Sequence, residues 1–196
     1  NVSGKMSSTV SMMRKAAIDL EGKIDLTVFD SNAGSAVLAF MAREARLREK
    51  AGDTLERIIE VLKAIRKNVM VVLTVDTLEY ARKSGRVGAI KAALSSILNI
   101  KPIIILQDGL MEMAEMVRTR KKSLERIVSK IQDHFGDHPV RLAVVNAQDN
   151  ETAKIIEEMV LEVLSVVEIV STELSISVAA NLGPGTVGIV ALPAEL

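Results

Sequence analysis

The sequence contains no cysteine, and its 196 residues include only three Phe, one Tyr and two His. Without Cys there is no disulfide and no thiolate chemistry, which fits a reducing cytoplasm. A His/Cys metal site would have to be built from His134 and His138 alone, too few donors for one. Aromatic residues make up 2% of the chain, so there is no platform for stacking nucleobases. An excess of either charge is missing as well. The 25 basic and 25 acidic residues cancel, and nothing points to nucleic acid or an anionic membrane surface. No apolar run reaches the roughly 18 residues of a membrane span, and no signal-peptide pattern is present. The first residue is Asn1 rather than Met, so the chain is expected to be a fragment whose natural N-terminus is missing.

What is present is aliphatic. Hydrophobic residues make up 48%, with nine Met as adaptable filler, enough for one large domain or two small ones. Strands are expected at Ile24–Phe29, Val69–Val75, Pro102–Leu106, Val140–Ala147, Val167–Thr172, Ile176–Ala180 and Thr186–Leu192. The earlier runs are nearly continuous Val, Ile and Leu, as in strands covered on both faces. Helices are expected at Ser7–Leu20, Ala36–Lys50, from an Asp53 cap through Ile65, at Leu78–Lys83, Ala89–Leu98, Lys121–Phe135 and Glu151–Leu164. Gln107–Gly109 reads as a hairpin turn, and the tail reads as a β-meander. The fold class is α/β: a partial parallel-sheet α/β domain over 1–83, then a smaller mixed α+β domain over 84–196, with the boundary near Arg82–Arg86.

Several segments carry polar groups in suggestive places. "SSTVSMM" puts Ser7, Ser8, Thr9 and Ser11 at a helix start, where hydroxyls serve either as caps or as part of an anion or carboxylate site. "FDSNAGS" follows a strand directly, so Asp30, Ser31 and Ser35 stand where open α/β sheets bind ligands, or where turns are built. Arg86, between two glycines, either meets an anion or acidic partner or is solvated. The basic run Arg118–Lys122 opposes a helix dipole unless an anion or partner lies nearby. His134 and His138 flank the helix-breaking Gly136 and read as a helix C-terminus rather than a metal pair. "NLGPGTVG" matches neither phosphate-binding glycine motif, lacks Lys, and reads locally as a β-turn. No nucleophile–base triad or carboxylate pair is evident.

Taken in order, "SSTVSMMRKAA", "FDSNAGSAVLAFMAREA", "LEYARKSGRVG", "LNIKPIIILQDGLM", "VRTRKKSLERI" and "GPGTVGI" resemble the DegV family of bacterial fatty-acid-binding proteins. The resemblance spans essentially the whole chain, as the C-terminal majority of such a protein. It implies a DegV-like two-domain fold that binds one long-chain fatty acid in a tunnel between two α/β domains. It further implies that the carboxylate is presented to a separate ATP-binding fatty acid kinase subunit, and that the protein itself is a cytoplasmic carrier without catalysis. No cofactor is implied beyond the bound fatty acid.

By the same resemblance, Ser7 and Thr9 help hold the carboxylate, with Ser8 where the family has Gly. Ser31 and Ser35 match its "DS…S" segment, and Gly183 and Gly185 its closing glycine loop. Arg86 matches the Arg of kinase docking. Asn181 stands where the family carries His; it still donates a hydrogen bond but holds no proton to exchange at neutral pH. Two other readings stay open: a small-molecule kinase or phosphatase of related fold, and an interaction module that has lost lipid binding.

Overall fold

The computed structural model describes residues 2–85 and 100–195; Arg86 and the helix expected at Ala89–Leu98 lie outside the described residues. The chain packs as two compact units, one of Asn1–Lys67 with Asp108–Leu110, the other of Asn68–Gln107 with Met111–Leu196. This division falls at 67/68, whereas the sequence placed a boundary at 83/84. The strand Met70–Thr74 accounts for the difference, because it is hydrogen-bonded on both sides within the sheet of the second unit.

The first unit contains α1 (Thr9–Asp19), α2 (Ala36–Lys50) and most of α3 (Leu55–Asn68). α2 buries Val37, Phe40 and Met41, and α3 buries Val61, Leu62 and Ile65, each set at the spacing of one helical face. The start of α3 corrects an expectation: Thr54, not Asp53, receives the helix amide, its hydroxyl accepting from Arg57 N at 3.4 Å. Ile24–Phe29 forms no strand. Its alternation suits a sheet, but no ladder partner stands beside it among the described residues, and Ile24 and Leu26 are 51% and 43% exposed.

The second unit is a six-stranded sheet in the order β3-β2-β1-β6-β4-β5. The strands are β1 (Met70–Thr74), β2 (Lys101–Gln107), β3 (Leu110–Val117), β4 (Val140–Asn146), β5 (Val166–Glu173) and β6 (Val187–Pro193). The class is mixed α/β. Parallel pairing is found at β4–β5, while β1 runs antiparallel to β2 and β6, and β6 antiparallel to β4. α6 (Asn150–Val163) supplies the crossover that the parallel pair needs. The β2–β3 hairpin forms as expected: Asp108 and Gly109 take φ of 48° and 81°, the two positive angles of a tight hairpin turn.

One apolar core joins α5 (Arg120–Phe135), α6 and the sheet, through Ile127 and Ile131, Ile156 and Val160, and strand residues such as Val72, Leu142 and Ile189. The alternate residues Leu73, Ile104, Ala143 and Val190 are also buried, so the central strands are covered on both faces. That is why their sequences read as unbroken apolar runs. The tail is not a meander. Ile176–Leu182 folds as helix α7, which packs with α4 (Glu79–Ser84), and β6 then returns to the middle of the sheet. A short apolar run does not separate strand from helix by period alone.

Candidate functional site

In the first unit, Ser3 ties the two hydroxyl-bearing segments together. It is fully buried. Its amide donates to Ala33 O at 2.8 Å and its hydroxyl to Gly109 O at 2.7 Å. A Cβ on Gly109 would stand 2.5 Å from that hydroxyl, so the hairpin turn needs glycine for space as well as for φ. The Asp30 carboxylate accepts from Gly4 N at 3.1 Å and from Asn32 N at 2.9 Å. Segments 3–9 and 30–35 are thus joined through their backbones.

On this frame Ser7 Oγ and Thr9 Oγ1 lie 2.8 Å apart and share a hydrogen bond, and Thr9 N donates to Ser7 Oγ at 3.3 Å. The helix N-cap is Ser8, whose side chain makes no capping bond. The hydroxyls of Ser7 and Thr9 therefore turn toward each other, on a half-buried and an exposed residue respectively; while they share that bond, one of the two O–H groups is left to donate to a further acceptor such as a carboxylate. Ser31 is buried, its Oγ accepting from Ala33 N at 3.1 Å. Ser35 directly precedes α2 with φ of 53°, and Asn32 has φ of 51°. Left-handed backbone outside glycine is strained by about 1–2 kcal/mol per residue and persists where the surroundings enforce it.

In the second unit the glycine turn is gripped from three sides. Gly183 N closes α7 by donating to Ala179 O at 2.7 Å, and Thr186 Oγ1 donates to Gly183 O at 2.6 Å. Gly185 N donates to Ala147 O at 2.9 Å, while Ala147 N donates to Thr186 O at 2.8 Å. Gly185 O accepts from Arg120 Nη2 at 2.7 Å, and the same nitrogen donates to Asp149 Oδ2 at 2.7 Å. Gly183 has φ of +89°, and its missing side chain leaves room for the Tyr80 ring. Asn181 lies inside α7, not in a loop between strands, and its Nδ2 donates to Ser177 O of the preceding turn at 2.6 Å.

His134 falls in the last turn of α5, its ring edge-to-face with Phe135 at 4.6 Å, and Gly136 follows as the cap. Among the described residues no three His, Asp or Glu side chains gather to hold a metal, and no helix is long and apolar enough to cross a membrane. The basic run resolves into separate roles. Thr119 caps α5 by accepting from Lys122 N at 3.2 Å, Lys122 Nζ meets Glu125 at 3.1 Å, and Arg120 engages Asp149. The sequence reading missed Ser3 and Asp149. An Asp before an amphipathic run was the available signal for Asp149, which caps α6 by accepting from Thr152 N at 3.3 Å.

A family model described as "Uncharacterised protein, DegV family" matches residues 1–194. A DegV domain-containing protein of Deinococcus radiodurans is 29% identical over 197 residues, 98% of this chain and 68% of the relative. Protein DegV of Bacillus subtilis is 31% identical over 191 residues, 96% of this chain and 66% of the relative. The chain therefore spans about two thirds of the length of these curated relatives. Among solved structures, a DegV family protein from Thermus thermophilus, described by its fatty acid binding, superimposes with a TM-score of 0.91 at 31% identity, over 98% of this chain and 69% of that one. DegV of Bacillus subtilis, described as a fatty acid binding protein, does so with a TM-score of 0.85 at 30% identity, over 98% and 68%.

Proposed function

The chain belongs to the DegV family, and from that premise we propose that it binds a long-chain fatty acid and presents the carboxylate to a separate ATP-binding kinase subunit, which forms the acyl phosphate. The protein is then a cytoplasmic carrier, with the chemistry in its partner and no cofactor beyond the fatty acid. The observation that carries the reading is the 31%-identical Thermus thermophilus structure, which is described by fatty acid binding. The paired hydroxyls of Ser7 and Thr9 support it as donors for a carboxylate, with Ser31 and Ser35 as further polar groups of that unit. Asn181, Gly183 and Gly185 are proposed as ligand-facing residues of the second unit, and Arg86 as a kinase-docking residue. Each buried CH₂ of an acyl chain contributes roughly 0.8 kcal/mol, so binding energy comes from the chain and orientation from a few polar groups.

Native mass spectrometry of the intact protein tests the first half. One retained long-chain fatty acid per chain is expected. A protein that arrives empty and takes up no fatty acid on titration overturns the reading. Incubation of the loaded protein with ATP and the kinase subunit tests the second half: acyl phosphate is expected, and its absence removes the kinase partnership while leaving lipid binding intact.

A further inference from the structure

Arg120 stands in an unfavourable place. It is the first residue of α5, where the helix dipole opposes a cation. Its side chain is only 25% exposed, and its Nη1 is buried without a hydrogen-bond partner. Its Nη2, by contrast, does two things at once, meeting Asp149 Oδ2 and Gly185 O at 2.7 Å each.

Asp149 is itself held in place. Its amide donates to Asn146 Oδ1 at 3.0 Å, and its other carboxylate oxygen accepts from Thr152 N at the start of α6. Asn146 is buried at the end of β4. A chain of bonds therefore runs from β4 through the α6 start and Arg120 to the carbonyl of Gly185. The amide of Gly185 is taken by Ala147, so Gly185 is fixed through both its N–H and its C=O.

We propose that Arg120 and Asp149 form a clamp that sets the geometry of the Gly183–Thr186 turn, making Arg120 a positioning residue for head-group recognition; this rests on the fatty-acid reading above. The carboxylate of Asp149 balances the guanidinium, so the clamp contributes geometry and not net charge. Lysine cannot replace it in full, because an ammonium lacks the planar fork.

The experiment compares intact wild type with Arg120→Gln, Arg120→Lys and Asp149→Asn, using Lys122→Ala as a control for charge at the α5 start. Two ligands of equal chain length are titrated, a fatty acid and its fatty alcohol. Arg120→Gln is expected to weaken the acid by about tenfold, the scale of one charge-assisted hydrogen bond, and to leave the alcohol nearly unchanged. Arg120→Lys recovers part of the loss. Equal weakening of acid and alcohol, or no change in either, overturns the clamp. Amide exchange, read without ligand, supplies a second check: faster exchange at Gly185 with unchanged exchange at Val144 is expected in Arg120→Lys, and unchanged protection of Gly185 sinks the proposal. A wild type that binds neither ligand instead overturns the fatty-acid reading, and the exchange result then still decides whether the clamp holds the turn.

Discussion

Gly183 and Tyr80 claim the same space: a Cβ built on Gly183 would stand 2.4 Å from Cδ2 of the Tyr80 ring and 2.8 Å from Cγ. The glycine therefore serves α7 and its packing with α4 whether or not a ligand is present. Gly183→Ala is expected to lower stability by about 1–3 kcal/mol, from left-handed backbone strain and a displaced ring. Thermal unfolding measures it. Tyr80→Ala combined with Gly183→Ala should recover the steric part, and a Gly183→Ala protein as stable as wild type would show that the ring does not sit there.

The core of the second unit predicts a contrast between two isoleucines. Ile189 is fully buried on β6, whereas Ile176 is 88% exposed on α7. Ile189→Ala is expected to lose about 2–5 kcal/mol and Ile176→Ala less than about 0.5 kcal/mol. Denaturant titration of both variants checks the difference.

Glu115 on β3 receives three hydrogen bonds from the Arg126 guanidinium on α5, at 2.7 to 3.0 Å. Those bonds hold its carboxyl below the ordinary carboxylate range, against the opposing effect of desolvation. A lowered folded-state value means the contribution is present above the unfolded value and lost as pH falls through the folded one. Glu115→Gln is thus expected to reduce stability by about 0.5–1 kcal/mol at neutral pH. The difference from wild type should close below about pH 4. A gap that widens with acid contradicts the pairing.

Ser7→Ala and Thr9→Ala test the proposed carboxylate contact. Each is expected to weaken fatty-acid binding by roughly 10-fold, with the double variant weaker still. Calorimetric titration of the intact protein is the measurement, and full affinity in the double variant would remove these hydroxyls from the site.

Asn181→His is expected to preserve or tighten binding. The Asn181 amide now bonds to its own helix at Ser177 O, and an imidazole at that position adds a group able to carry charge at neutral pH. A clear loss of affinity would place residue 181 away from the head group.

Much of this architecture was legible because it is local. The apolar stripe of α5 through Leu124, Ile127, Val128 and Ile131, the "QDG" turn, and the runs that became β1, β2, β4 and β6 all carry their period in adjacent residues. What was not legible depends on distant partners. Ile24–Phe29 alternates like a strand but lacks a neighbour to pair with among the described residues, and a strand without a ladder is only extended chain. The direction of each pairing is equally non-local. The apolar run at Val69–Val75 was expected in a partial parallel sheet, yet β1, with Val72 and Leu73 both buried, runs antiparallel to each of its neighbours, and strands covered on both faces read the same in either direction. For the candidate site, hydroxyl-rich segments could be picked out by type. That Ser3 joins two of them, and that Arg120 reaches across 65 positions to Gly185, follows only from the folded chain.

β6 lies between β1 and β4, with Val190 opposite Val71 on one side and Ala143 on the other, yet it comes after every other strand of the sheet in the sequence. The β1-β2-β3 and β4-β5 portions therefore join into one sheet only once β6 is paired between them. Such late, long-range closure slows folding and leaves pairing-competent edges exposed meanwhile. The stretch from Gly183 to Pro193 thus joins the turn held by Arg120, Ala147 and Thr186 to the strand on which completion of the sheet depends.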